Sequence, residues 1–296
     1  MALSKLSGDE QGIILGHVWN PLEPRLAVYL SSANKELRLL LTPVLRQQLR
    51  ADHTEAAALC RKVGFPSCKE LREAKVVTWF RKRLSSDDLA LLGTLGSVLP
   101  ALEELILCEP AAGPDGVQRL AEKLGAGALP AVTWLDLSNT PVGDAGASAL
   151  AAALGRGALP RLKHLRLCST AIGDAGLVAL APALRRRPAL ERLALDGSPL
   201  GDEGLAALVA PPPPAGAPPP TTGGLAKLKM LELSYTQITD AGCATLAAAL
   251  DSGALPALEH LYLAGIPASA AAKAAVYAAR PNLKSGDSEF YYVPTL

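Results

Sequence analysis

The sequence predicts an α/β solenoid, with a curved parallel sheet inside, helices outside and a helical region ahead of the first coil. Three observations predict it. An L-x-x-L-x-L phrase returns about every thirty residues, a turn-and-helix phrase follows each copy, and the composition suits a core built of many equivalent layers. Hydrophobic residues make up 49% of the 296-residue chain but aromatic ones only 4%. With so few rings the interior is filled by Leu, Ala and Val, which favours stacked small layers over one irregular core.

The apolar phrase begins at Leu102 (LEELIL) and recurs at Val132 (VTWLDL), Leu162 (LKHLRL), Leu190 (LERLAL), Leu228 (LKMLEL) and Leu258 (LEHLYL), at steps of 30, 30, 28, 38 and 30 residues. A degenerate copy runs from Ala74 through Val77 and Trp79 to Leu84, 28 residues before Leu102. Alternation of apolar and other residues marks each phrase as a strand.

A second phrase follows, Thr170-Ala171-Ile172-Gly173-Asp174-Ala175-Gly176 in one copy, with counterparts at Thr140 to Gly146, Ser198 to Gly204 and Thr236 to Gly242. Asp144, Asp174, Asp202 and Asp240 are placed to cap the helices that start there. Behind them the Leu spacing widens to helical period, as in Leu177, Leu180 and Leu184. One strand-turn-helix unit cannot bury its aliphatic flank alone, so the units must stack.

This pattern resembles the ribonuclease-inhibitor-like leucine-rich-repeat family over about Ala74 to Leu283. The family places Asn or Cys at the ninth motif position, where it bonds backbone between coils. Here Pro110, Thr140, Thr170, Ser198, Thr236 and Ile266 stand there; a hydroxyl can donate and accept in the same way, whereas Pro and Ile cannot. The resemblance implies a non-enzymatic protein-binding module. The family also includes activators of the Ran GTPase, which implies small-GTPase activation as an alternative, although the positions following the strands here are mostly Ser, Thr, Pro and Gly.

The chain divides into a helical region over 1–73, the solenoid over 74–283 and a tail over 284–296. The 38-residue step contains Pro211 to Gly224, a proline-rich insertion read as a solvated rim loop. Arg185, Arg186 and Arg187 stand where positive charge suits a helix C-terminus on a solvated face. Ala268 to Ala279 reads as a last, alanine-rich helix.

Because side chains alternate along a strand, the third and fifth motif positions, and more loosely the seventh, face the concave surface. The candidate partner-binding residues there are Glu104, Ile106, Trp134, Asp136, His164, Arg166, Arg192, Asp196, Met230, Glu232, His260 and Tyr262, with Tyr235 beside them. Aromatic rings mixed with Arg are what protein interfaces enrich; a merely solvated inner face fits the same residues.

The same spacing argues against catalysis. His164 and Cys168 are four residues apart on one strand, roughly 13 Å at about 3.3 Å per residue, beyond the hydrogen-bond reach that nucleophile and base need. No zinc spacing or disulfide framework links Cys60, Cys68, Cys108, Cys168 and Cys243, and no metal or cofactor is expected. The odd cysteine count predicts an intracellular, reducing compartment, cytoplasmic or nuclear. A net charge of +1 argues against nucleic acid or anionic membrane as a partner, and no apolar run is long and unbroken enough to span a bilayer.

Residues 1–73 have a different grammar. Leu6-Ser7-Gly8-Asp9-Glu10 leads to Ile13-Ile14-Leu15-Gly16-His17-Val18, then Pro21 and Pro24, then Leu26 to Leu30 and Lys35-Glu36-Leu37-Arg38. The order resembles an F-box, with Ser7 in place of the usual Pro and Leu37 in place of the usual Trp. The resemblance implies a substrate receptor of a cullin ubiquitin ligase, with the ligase adaptor as a partner. A simple cap over the apolar end of the stack explains the same helices.

Overall fold

The structure, a computed structural model, describes residues 19–33, 41–209 and 225–286. The described residues begin with three helices, α1 (Pro24–Ala33), α2 (Pro43–Val63) and α3 (Cys68–Glu73). Helix α2 starts at Thr42, whose hydroxyl accepts from the Leu45 amide, and it stops at Gly64, whose left-handed backbone (φ 93°) turns the chain away. Most of the F-box-like stretch, residues 1–18 and 34–40, lies outside the described residues, as does the proline-rich insertion.

Seven parallel strands follow: β1 (Val76–Phe80), β2 (Glu104–Cys108), β3 (Trp134–Asp136), β4 (His164–Arg166), β5 (Arg192–Ala194), β6 (Met230–Glu232) and β7 (His260–Tyr262). They form one sheet in chain order. The helices between and after them are α4 (Ser86–Leu95), α5 (Gly116–Lys123), α6 (Gly143–Gly155), α7 (Asp174–Arg185), α8 (Asp202–Val209), α9 (Asp240–Asp251) and α10 (Ala270–Ala279). Each of these helices packs on the next. This is the predicted α/β solenoid, and the degenerate first copy is a true strand: Val76 pairs with Glu104.

Register runs unbroken through the sheet. Glu104, Trp134, His164, Arg192, Met230 and His260 are direct partners in succession, even across the 38-residue step, where Arg192 still faces Met230. Leu105, Leu135, Leu165, Leu193, Leu231 and Leu261 point the other way and are buried. Trp79 is a buried member of the same core, in a place that Leu holds in later coils. Leu59, Cys60, Val63 and Leu71 from α2 and α3 join Trp79, Leu84 and Leu89 in one hydrophobic cluster, so the preceding helices cover the first coil.

The aspartates correct the sequence-based expectation. None of the four caps its own helix; each reaches across to the next coil. Asp144 Oδ1 accepts from the amides of Gly173 (2.8 Å) and Gly176 (3.0 Å) at the start of α7. Asp174 Oδ1 does the same for Gly201 (2.6 Å) and Gly204 (2.9 Å) at the start of α8. Asp202 takes the amide and hydroxyl of Thr239, and Asp240 those of Ser269. The physical reason is position: Asp174 and Asp202 are the first residues of their helices, already past the cap site. It also explains the D-x-G phrase, because a Cβ on Gly176 would lie 2.5 Å from Asp144 Oδ1 and one on Gly242 2.2 Å from Asp202 Oδ1.

Arginines do the complementary work at the far ends. Arg156 donates to the carbonyls of Ala121 and Leu124, Arg187 to those of Leu154, Ala158 and Leu159, and Arg280 to those of Ala254 and Leu255. Each thus answers the open carbonyls of the preceding coil's helix end. Arg187 is therefore not merely a charge on a solvated face, as expected, but a part-buried donor.

At the ninth position the hydroxyls act largely as predicted. Thr140 donates to Leu107 of the preceding coil and accepts from the Glu109 amide, both at 2.9 Å. Ser198 likewise accepts from Thr170 N and donates to Leu167 of the preceding coil. Thr170 and Thr236, by contrast, donate to Leu167 and Leu233 of their own coils. Where Pro110 cannot serve, the buried carboxylate of Glu109 accepts from the amides of Lys82 and Leu84 one coil back.

Candidate partner-binding face

The predicted concave residues all lie on the inner side of the sheet or its edge, but they separate into two levels. The third-position ladder of Glu104, Trp134, His164, Arg192, Met230 and His260 is half-buried and reachable. So are Ile106, Arg166 and Tyr262 at the fifth position, and Tyr235 is 54% exposed. Asp136, Asp196 and Glu232 are buried, which corrects their expected place on the presented surface.

Asp136 and Glu232 are engaged there by arginines of neighbouring strands. Arg192 Nε lies 2.6 Å from Glu232 Oε1, and Arg166 Nε 3.7 Å from Asp136 Oδ2. Asp136 also accepts from the Ser138 amide at 2.9 Å. Asp196 sits deeper, 2% exposed, accepting from the Ser234 amide of the next coil at 2.7 Å and from the Cys168 thiol at 3.7 Å. Burial, followed by the adjacent Glu232 charge, pushes the Asp196 carboxyl up to about 7. A carboxyl this dry, beside a second carboxylate, keeps its proton more readily than a solvated one.

Above these groups stand rings. Trp134 and His164 stack at 4.8 Å between centroids with 28° between planes, which is the spacing of neighbouring strands, so the rings stand side by side on edge. Arg192 approaches the same indole, 6.0 Å from its centroid. His260 and Tyr262 form a second stack at 6.3 Å. Tyr235 has a left-handed backbone (φ 58°), and its ring lies where Gly265 would carry a side chain, with Cδ1 2.4 Å from an added Cβ. Only glycine at that place in the next coil leaves room for the ring.

Burial and the charge of Asp136 push the Cys108 thiol up to about 12; burial and Asp196 push Cys168 up to about 11. Thiols held protonated in this way are poor nucleophiles. Burial lowers the pKa of His164, which favours the neutral ring. Among the described residues no cluster of three or more His, Cys, Asp or Glu could hold a metal ion, and no helix is long and apolar enough to cross a membrane.

A family model described as Leucine Rich repeat matches residues 132–151, 159–181, 188–209 and 224–247. No curated protein matches the chain. Among solved structures it is similar to the actin-binding site 2 of leiomodin-1, at 16% identity and a TM-score of 0.36, covering 66% of this chain and 87% of that one. It is also similar to an internalin from Listeria monocytogenes str. 4b F2365, at 14% identity, TM-score 0.40, 72% of this chain and 53% of that one. A third likeness is to a leucine-rich-repeat protein of Leptospira interrogans, at 15% identity, TM-score 0.32, 68% of this chain and 56% of that one. The chain spans just over half the length of the latter two.

Proposed function

We propose that this α/β leucine-rich-repeat solenoid is a non-enzymatic protein-interaction module that holds a protein partner against its concave sheet. The observation that carries the reading is the two-level face. Half-buried rings, Trp134 with His164 and His260 with Tyr262, stand above carboxylates that are already paired or hydrogen-bonded inside. Rings held by their neighbours lose little freedom on binding, and aromatic anchors supply much of the energy of protein interfaces. The coil lengths of 28 and 30 residues, with a helix behind each strand, support the ribonuclease-inhibitor-like kind of repeat. In the same reading the helices before Ala74 are a cap on the first coil.

The test is affinity purification from the native cell with the full chain and with a Trp134→Ala, Met230→Ala, Tyr262→Ala chain, followed by mass spectrometry. All three side chains are half-buried on the open side of the sheet, outside the core that stacks the coils, so the triple variant should fold. Proteins captured by the wild type and lost from the variant, at an unchanged urea midpoint, are the expected result. Equal capture by both chains would overturn the concave face as the binding surface.

A further inference from the structure

We infer that the β1–β3 part of the concave face is a receptor for an arginine side chain of the protein partner, with Glu104 as its counter-ion; this rests on the reading of the concave face as the binding surface. The charges decide it. Arg166 is engaged by Asp136 and Arg192 by Glu232, so the two cations at the third and fifth positions of β2 to β7 are taken up inside the sheet. On the rim, Lys75 is held by Glu103 at 3.1 Å. The Glu104 carboxylate has neither a hydrogen-bond nor an ion-pair partner among the described residues, and it is half-buried. Glu104 is therefore the one carboxylate at the third and fifth positions of β2 to β4 that no cation of the sheet engages.

The surroundings of that charge select what can neutralise it. Val76, 51% exposed, and Trp134 flank Glu104 as its direct partners on β1 and β3. Ile106 is its neighbour on the same face of β2. His164 stacks on the Trp134 ring from the β4 side, and Glu104 is the direct partner of Trp134 on the β2 side. A guanidinium entering there can pair with the carboxylate through its planar fork while lying against the indole, and its methylene stem can cover Val76 and Ile106. An ammonium lacks the planar fork, and an acidic side chain is repelled by Glu104. The ion pair is shielded on three sides by apolar groups, so it is worth more than an exposed one.

A library of random dodecapeptides displayed on phage, panned in parallel on the immobilised full chain and on its Glu104→Gln variant, tests this. The wild type should enrich peptides with arginine at one fixed position beside an aliphatic residue. The Glu104→Gln chain should lose that enrichment, and a selected peptide should bind it about ten-fold more weakly. A Glu104→Lys chain should instead enrich acidic residues. Peptides without a basic residue, peptides that bind Glu104→Gln within about two-fold, or no enrichment at all would overturn the proposal. The triple variant at Trp134, Met230 and Tyr262 separates the two readings. Arginine peptides that bind it undiminished lie off the concave face and count against both readings. Peptides that it loses but that tolerate Glu104→Gln count against the arginine site alone.

Discussion

Replacing Asp196 by asparagine should change how the stability of this protein depends on pH. With its pKa raised from 3.8 to about 7 in the folded chain, Asp196 keeps its proton on folding across the intervening range. The folded state then binds more protons than the unfolded one, so stability falls as pH rises from about 4 through 7. At pH 5 the folded carboxyl holds its proton and the unfolded one has lost most of it. At pH 8 both are ionised, and the native state carries a buried charge beside Glu232. Each tenfold is worth about 1.4 kcal/mol, so this one group contributes roughly 2–3 kcal/mol at pH 5 that is absent at pH 8. Because the Glu232 charge beside it contributes to the shift, that is an upper figure. Asparagine can still accept from the Ser234 amide but does not titrate. Urea unfolding of both chains at pH 5 and pH 8 should therefore show the variant gaining on the wild type by up to this amount at the higher pH. A difference constant to within about 0.5 kcal/mol, or one of opposite sign, would refute the account of a dry carboxyl just past β5 that keeps its proton.

Two further outcomes follow from the cross-coil bonds. Gly176→Ala should destabilise the chain by roughly 2 kcal/mol, because its Cβ would stand 2.5 Å from Asp144 Oδ1 and 3.0 Å from Asp144 Cα; in an Asp144→Ala background the cost should shrink by about 1 kcal/mol or more, as a double-mutant cycle in urea would show. Arg187→Ala leaves the carbonyls of Leu154, Ala158 and Leu159 without their donor and should cost about 1–3 kcal/mol, whereas the exposed neighbour Arg186→Ala should stay within about 0.5 kcal/mol by the same measurement.

The strands and their register were legible because an apolar phrase at a fixed step is a direct statement of stacking. Counting residues alone brings Asp136 opposite Arg166, and Arg192 diagonal to Glu232. That count also held the signal for the buried ion pairs, since side chains opposite or diagonal across strands about 4.8 Å apart are within reach. What alternation cannot express is depth. Trp134 and Asp136 share a face, yet one is half-buried and the other buried, because cover comes from neighbouring coils. The aspartates misled for the same reason: an Asp at a helix start reads as a local cap, and nothing within a single coil says that the amides it serves belong to the next. The glycine two residues after each Asp was the available clue, since a helix interior has no local need for it.

The hand-over of aspartates also has a gap. In the coil that carries α5, Pro114 stands where later coils have Asp144 and Asp174, and α6 begins with no side chain bonded at its cap. Along the edge where the helices begin, carboxylates stitch α7, α8, α9 and α10 each to the coil before, while the seam ahead of α6 lacks that stitch. The carboxylate stitch thus begins only at α7 along that edge, while at the opposite edge Arg156 still ties the end of α6 to the carbonyls of Ala121 and Leu124.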